Sequence, residues 1–249
     1  MYEETTGRTL LQKILLILLA AMAVLFAVLT VVFRSQPRVQ WADSLLRPAQ
    51  TENTAVYTGA SHGQDVAVRV YPDGSDTVVD FAIGSLRRHT GRVTWPGGTI
   101  SREYGDAVPR VKIFLDDAVV FSGGYDKSSG LLYHKDGSWE PGLSIGTNTS
   151  YSSYWSSYQL DAFDILYFAL GPEAVHRGSW AIWAVTLFIS LLAAVDIAFP
   201  LAFFYFRYSF SVQNPEPSDF YLSMQKVGWV IGTVVILGMY IWGLTIVVS

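Results

Sequence analysis

Three apolar stretches, Ile14–Phe33, Trp180–Phe206 and Val227–Val248, bracket a polar segment, Arg34–Ser179, and no feature of the 249 residues constrains the fold more. A bilayer core about 30 Å thick is crossed by about 20 apolar residues at a rise of about 1.5 Å each. The first stretch has 20 residues and the third 22, both uncharged; the second has 27 and one charge, Asp196. The length of the second allows tilt or extension into the interface. The pattern predicts a membrane α + β protein: three transmembrane helices, with a water-exposed domain inserted between the first and second.

Ile14–Phe33 reads as a retained anchor. Its apolar run exceeds the roughly 7–15 residues of a signal-peptide core, and Phe33-Arg34-Ser35 offers no small-x-small cleavage site. The chain contains no cysteine, which excludes disulfides, thiolate metal sites and cysteine nucleophiles. A formal charge of −4 gives no nucleic-acid signature.

Orientation should follow Lys and Arg in the short flanks. Arg8, Lys13, Arg207 and Lys226 fall on one side, and Arg34, Arg38, Arg47 and Arg177 on the other, a tie. Long loops translocate largely regardless of charge, so Arg38 and Arg47 count less. The link Arg207–Lys226 carries a basic residue at each membrane boundary. Together these favour an N-terminus inside, residues 1–13 and 207–226 cytoplasmic, and the middle domain and C-terminus outside.

Residues 34–54, with Pro37 and Pro48, read as a linker. Residues 55–158 read as an antiparallel β-rich domain, sandwich- or barrel-like. Asp65–Tyr71 alternates, with Val66, Val68 and Val70 on one face, and Pro72-Asp73-Gly74-Ser75 turns it into Thr77–Ile83. Gly91–Trp95 and Thr99–Tyr104 flank Pro96-Gly97-Gly98; Arg110–Leu115 and Ala118–Phe121 flank Asp116-Asp117; Leu131–His134 precedes Lys135-Asp136-Gly137-Ser138. Gly146–Tyr158, rich in Ser, Tyr and Thr, reads as a loop or edge. Gln159–Leu170 turns to helical spacing, with Leu160, Phe163, Leu166, Tyr167 and Leu170 on one side, and Gly171-Pro172 ends it. This amphipathic juxtamembrane helix either packs under the β domain or lies along the interface. Ser218 suits an N-cap and Asp219 the positive end of a helix dipole, so the third helix should start near Asp219.

The residues with chemical interest are few. Asp196 is a carboxylate inside an apolar helix, which costs about 2.5–3.5 kcal/mol at a helix centre. Pro200 four residues on removes the donor to its carbonyl and predicts a kink. Asp196 is expected either as a protonated carboxyl hydrogen-bonded within the bundle, to Thr233 or a backbone carbonyl, or as a contact for a partner subunit, an ion or a proton. Ala23 with Ala27, and Gly228 with Gly232, have the small-xxx-small spacing of close helix packing, within the bundle or between copies. Trp180 and Trp183 fit an aromatic belt, and His176 and Arg177 fit headgroup contact. Arg87, Arg88 and Arg92 form a basic cluster able to meet an anionic surface, or else a solvated turn. His62, His89, His134 and His176 lack metal-ligand spacing, His134 standing near Asp136. No hydrolase, metalloprotease or phosphate-loop motif is present, so neither a catalytic step nor a cofactor is expected.

Gly171-Pro172-Glu173, His176-Arg177-Gly178-Ser179-Trp180 and Glu216-Pro217-Ser218-Asp219 with Gly228 resemble uncharacterised multi-pass membrane proteins of Gram-positive, Clostridia-type gut bacteria. Val119-Val120-Phe121-Ser122-Gly123-Gly124-Tyr125, Leu132-Tyr133 and Asp136-Gly137-Ser138-Trp139 are similar to their outer β domains. The resemblance implies a bacterial plasma membrane and an outward domain, and supplies no catalytic residue. The expected role is binding, sensing or service as an accessory subunit, with the bilayer, a membrane protein or a second copy as partner. The alternative is a transport component that uses Asp196.

Overall fold

The computed structural model describes residues 8–85, 87–102, 105–140, 159–201, 204–206 and 216–248. It divides into two units, Pro37–Val175 and a helical unit of residues 1–36 with 176–249. Gly146–Tyr158 and Arg207 lie outside the described residues.

The first unit is built from hairpins. Its strands are β1 (Val39–Trp41), β2 (Ser44–Thr51), β3 (Thr54–Ser61), β4 (Gln64–Asp73), β5 (Asp76–Ile83), β6 (Arg87–Thr94), β7 (Thr99–Ile100), β8 (Val108–Leu115), β9 (Ala118–Asp126) and β10 (Leu131–Tyr133). They pair in the order β1-β2-β3-β4-β5-β6-β8-β9-β10, all antiparallel, with β7 on β8. The expected antiparallel β-rich domain is found as one large sheet, paired among the described residues as a meander from β1 to β10. The expected linker, residues 34–54, holds β1 and β2. Pro48 is tolerated in β2 because β1 pairs only as far as Leu46, leaving Pro48 on an edge where no donor is needed.

One face of the sheet is apolar, and a helix covers it. Val66, Val68, Val79, Phe81, Val93, Val111, Ile113 and Leu132 face inward, alternating with outward residues such as Arg69, Asp80, Arg92 and Lys112. Helix α2 (Ala162–Ala169) packs on β5, β6 and β8 and sinks Ile165, Leu166 and Phe168 into that face. Phe168 sits among Trp41, Tyr57 and Phe81, with ring centroids 5.2–5.7 Å away. Asp161 and Asp164 form a reciprocal capping box at the start of α2, and Asp164 also accepts the Trp41 indole proton at 2.8 Å. Of the two placements expected for this helix, packing on the sheet is the one found. Its buried face is rotated, however: Tyr167 and Leu170 are exposed, while Ala162, Ile165 and Phe168 are buried. Gly91 on β6 makes room for it, because a Cβ there would lie 2.6 Å from Ile165 Cγ2.

The second unit contains three helices long and apolar enough to cross a membrane: α1 (Leu10–Arg34), α3 (Trp180–Ala198) and α4 (Asp219–Thr245). Thr9 and Gln12 cap α1, and Ser218 caps α4 where the sequence indicated. Leu15, Leu19, Met22 and Phe26 face Ile197 of α3 and Trp229, Ile236 and Tyr240 of α4. Phe26 and Tyr240 stack at 5.0 Å. A two-residue ladder joins β11 (His176–Arg177) to β12 (Val247–Val248), so the third apolar stretch ends as strand rather than helix. The second stretch is helical over 19 residues from Trp180 to Ala198, breaks at Phe199–Pro200, and is helical again at 204–206, where the Tyr205 amide donates to Leu201 O at 2.8 Å; the expected kink is a break in the helix beside Pro200.

Candidate functional site

Ending α3 at Ala198 leaves carbonyls without intrahelical partners. Side-chain amides from the other two helices supply the protons. Gln12 Nε2 donates to Ile197 O at 2.9 Å, and Gln225 Nε2 to Pro200 O at 2.5 Å. Asp196 stands in the same cluster, third from the helix end rather than at its centre. Trp229 Nε1 donates to its Oδ2 at 2.7 Å, and Gln225 Nε2 to Oδ1 at 3.2 Å. The helix dipole disfavours a carboxylate at a C-terminus, so these two donors are what make the position tenable. The expected partner Thr233 instead donates to Trp229 O, within its own helix. The sequence does not mark Gln12, Gln225 and Trp229 as partners of this cluster, because Gln12 precedes the apolar run of α1 and the other two lie in α4. Glutamines bordering an apolar stretch are the only local signal they leave.

The small-residue pairs divide. Ala23 O accepts the Trp183 indole proton at 3.2 Å, which puts this side of α1 against α3; Ala27 is half-buried one turn on. A Cβ at Gly228 or Gly232 would meet no atom within 4 Å, so neither packs inside the bundle among the described residues. The close approach in α4 is at Gly243, where a Cβ would meet Ile182 Cγ2 at 3.0 Å.

Trp180 and Trp183 pack edge to face at 5.4 Å beside β11. His176 and Arg177 occupy β11, with Arg177 over the Phe33 ring at 5.8 Å.

In the sheet unit the basic cluster separates by strand parity. Arg88 and Arg92 point to the outer face of β6, away from the core, and Arg87 does not share that face. Arg92 pairs with Asp73 at 2.9 Å and Asp76 at 3.5 Å. Arg88 borders a depression of about 300 Å³ whose floor is Ala67 and Ala82, with Arg69, Asp80, His89 and Thr90 around it. Asp80 accepts from Tyr71 and Thr90. His89 meets Asp116 at 2.7 Å; burial pushes that carboxyl up, but the His89 ring and the Thr90 amide outweigh it and hold it below its ordinary range. A second cleft of about 340 Å³ lies beside α2, between Tyr125 and Phe163, Tyr167 and Leu170. Burial raises both tyrosine hydroxyls above their usual pKa.

Two further local pairs lie in the sheet unit. His134 bonds Glu140 at 2.5 Å rather than Asp136, whose carboxylate accepts from Ser138. Arg102 meets Asp126 at 2.6 Å and lies over the Tyr133 ring. Among the described residues no group of three His, Asp or Glu is placed to hold a metal ion.

These features define a class: a large antiparallel sheet domain joined to three helices fit to cross a membrane. Residues 184–245 match the model of a family of unknown function, DUF6199. The match covers most of α3 and α4, including Asp196, Pro200, Gln225 and Trp229, and none of the sheet. No curated protein and no solved structure matches the chain.

Proposed function

We propose that this chain is a multi-pass plasma-membrane protein that holds its sheet domain outside the bilayer for binding, for sensing or as an accessory subunit of a membrane complex. It has no catalytic role in this reading. One observation carries it. Pro37–Val175 closes around a core of its own residues, and the chain runs into it from one membrane-length helix and out of it into another. A domain tethered at both ends stays at the surface and can offer two concavities, the Ala67–Ala82 depression and the cleft beside α2. The transport alternative gains less support, since both oxygens of Asp196 already accept hydrogen bonds.

The cysteine-free sequence provides a clean test. Lys127→Cys lies on an exposed turn of the sheet domain, and Glu216→Cys lies just before α4. A membrane-impermeant maleimide should label the first in intact cells and the second only after lysis; the reverse pattern defeats the outward placement. Replacing residues 37–175 with a flexible linker should abolish co-purification of crosslinked partners. Retention of the same partners would refute a domain-centred role.

A further inference from the structure

The end of the helical unit away from Asp196 gathers basic side chains that form no ion pair among the described residues. α1 finishes there at Arg34, α3 begins at Trp180, and α4 finishes at Thr245, with β11 and β12 tying the three together. Arg34 Nη1 donates to Gly178 O at 3.2 Å, and the Arg177 guanidinium rests over the Phe33 ring. A carbonyl and a ring are neutral partners, so both arginines are held in place while their charge stays unanswered. Among the described residues no ion pair engages Arg34, His176 or Arg177.

Two buried atoms sharpen the point. His176 Nδ1 and Arg177 Nε are shielded from solvent and have no hydrogen-bond partner among the described residues. Buried polar groups are nearly always paired, and an exception asks for an explanation. Elsewhere in the same unit the indoles of Trp183 and Trp229 and the amides of Gln12 and Gln225 all have acceptors. Among the described residues the unpartnered atoms lie at one end, and Arg177 Nε, always a donor, lacks an acceptor there. The N-terminus of α3, capped by Ser179, adds its own partial positive charge there.

We infer that this end binds the phosphodiester of an anionic phospholipid headgroup. Helix ends of membrane length lie at headgroup depth, where phosphate oxygens are present at high concentration. A guanidinium presents a planar fork that matches two phosphate oxygens, and two held guanidiniums give such a site without further ordering. Trp180, exposed and packed on Trp183, supplies the amphipathic ring that favours this depth. The inference rests on reading the three helices as spans.

The test uses the full chain, reconstituted in phosphatidylcholine nanodiscs and then examined by native mass spectrometry with dioleoyl phosphatidylglycerol or dioleoyl phosphatidylcholine added. The wild type should retain phosphatidylglycerol in preference. Arg34→Gln with Arg177→Gln should reduce that preference by roughly tenfold or more. Arg34→Lys with Arg177→Lys, which keeps the charge, should reduce it less. Arg88→Gln in the sheet domain should leave it unchanged. Equal retention of both lipids, or an unaltered preference in the glutamine pair, overturns the inference. Equal protection against thermal unfolding by inorganic phosphate overturns the lipid as the source. A chain that fails to enter nanodiscs defeats the span reading itself.

Discussion

Both oxygens of Asp196 accept a proton from α4, so the residue ties the end of α3 to its neighbour. Asp196→Asn keeps one acceptor and turns an amide toward a donor, which leaves Trp229 or Gln225 unpaired. The expected cost is about 1–3 kcal/mol. Thermal unfolding in detergent followed by tryptophan fluorescence should show it, and Trp229→Phe should cost less in the Asn background than in the wild type. Were Asp196 part of a transport path, flux would fall at unchanged stability. The sequence singled out Asp196 and Pro200 correctly as unusual, because a charge and an imino acid stand out in an apolar run. An unbroken apolar composition does not show at which residue α3 breaks off. Which residues answer Asp196 is decided by how helices distant in sequence come together, and composition does not encode that. Gly91 is the complementary case. It reads as an ordinary turn or strand glycine, yet it is the point where Ile165 of α2 touches β6. Gly91→Val should lift the helix and destabilise the sheet unit by about 1–3 kcal/mol, as checked by chemical denaturation.

Among elements, the legible hairpins were those whose turns carry turn chemistry. Gly74 adopts φ 64°, and Asp116 and Asp117 adopt 48° and 66°, as a two-residue hairpin turn requires. The β1–β2 turn asks the same of Ala42 and Asp43, at 47° and 56°. Alanine leaves no sign of a left-handed backbone, so β1 and β2 read as linker in the sequence. The strand order is illegible for another reason: short alternating strands are common to sandwiches, barrels and meanders, and their pairing is set by contacts between strands. The β9–β10 turn gives a prediction at this scale. The Ser128 hydroxyl and amide, then Ser129 and the Arg102 charge, hold Asp126 far below its ordinary carboxylate range. A carboxyl whose folded pKa is depressed stabilises the turn above its unfolded value, and that contribution is lost as pH falls below it. Amide exchange in residues 126–131, corrected for intrinsic rates, should therefore quicken progressively below about pH 4. Asp126→Asn should show weaker protection already at neutral pH and remove the acid dependence.

For the whole molecule, the decisive fact is that the two cores share no residue. Every buried side chain of the sheet core belongs to residues 39–168, and every one of the helical core to residues 15–26 or 197–240. Cooperative unfolding follows shared packing, and units with separate cores need not melt together. Phe168 is fully buried in the first, where three rings surround it. Phe168→Ala should cost that unit about 3–5 kcal/mol through lost burial and the cavity left behind. Tyr240 stacks on Phe26 in the second and lies within 3.4 Å of the Ser190 hydroxyl. Tyr240→Ala removes the stack together with that contact and should cost the helical unit a comparable amount. Calorimetry of the full chain in detergent should resolve two transitions, the alanine at 168 lowering one and the alanine at 240 the other. A single transition moved equally by both would mean that the sheet domain depends on the bundle for its fold. The two-part architecture would then be one cooperative body, and a surface-presented domain acting through its own binding faces would lose its physical basis.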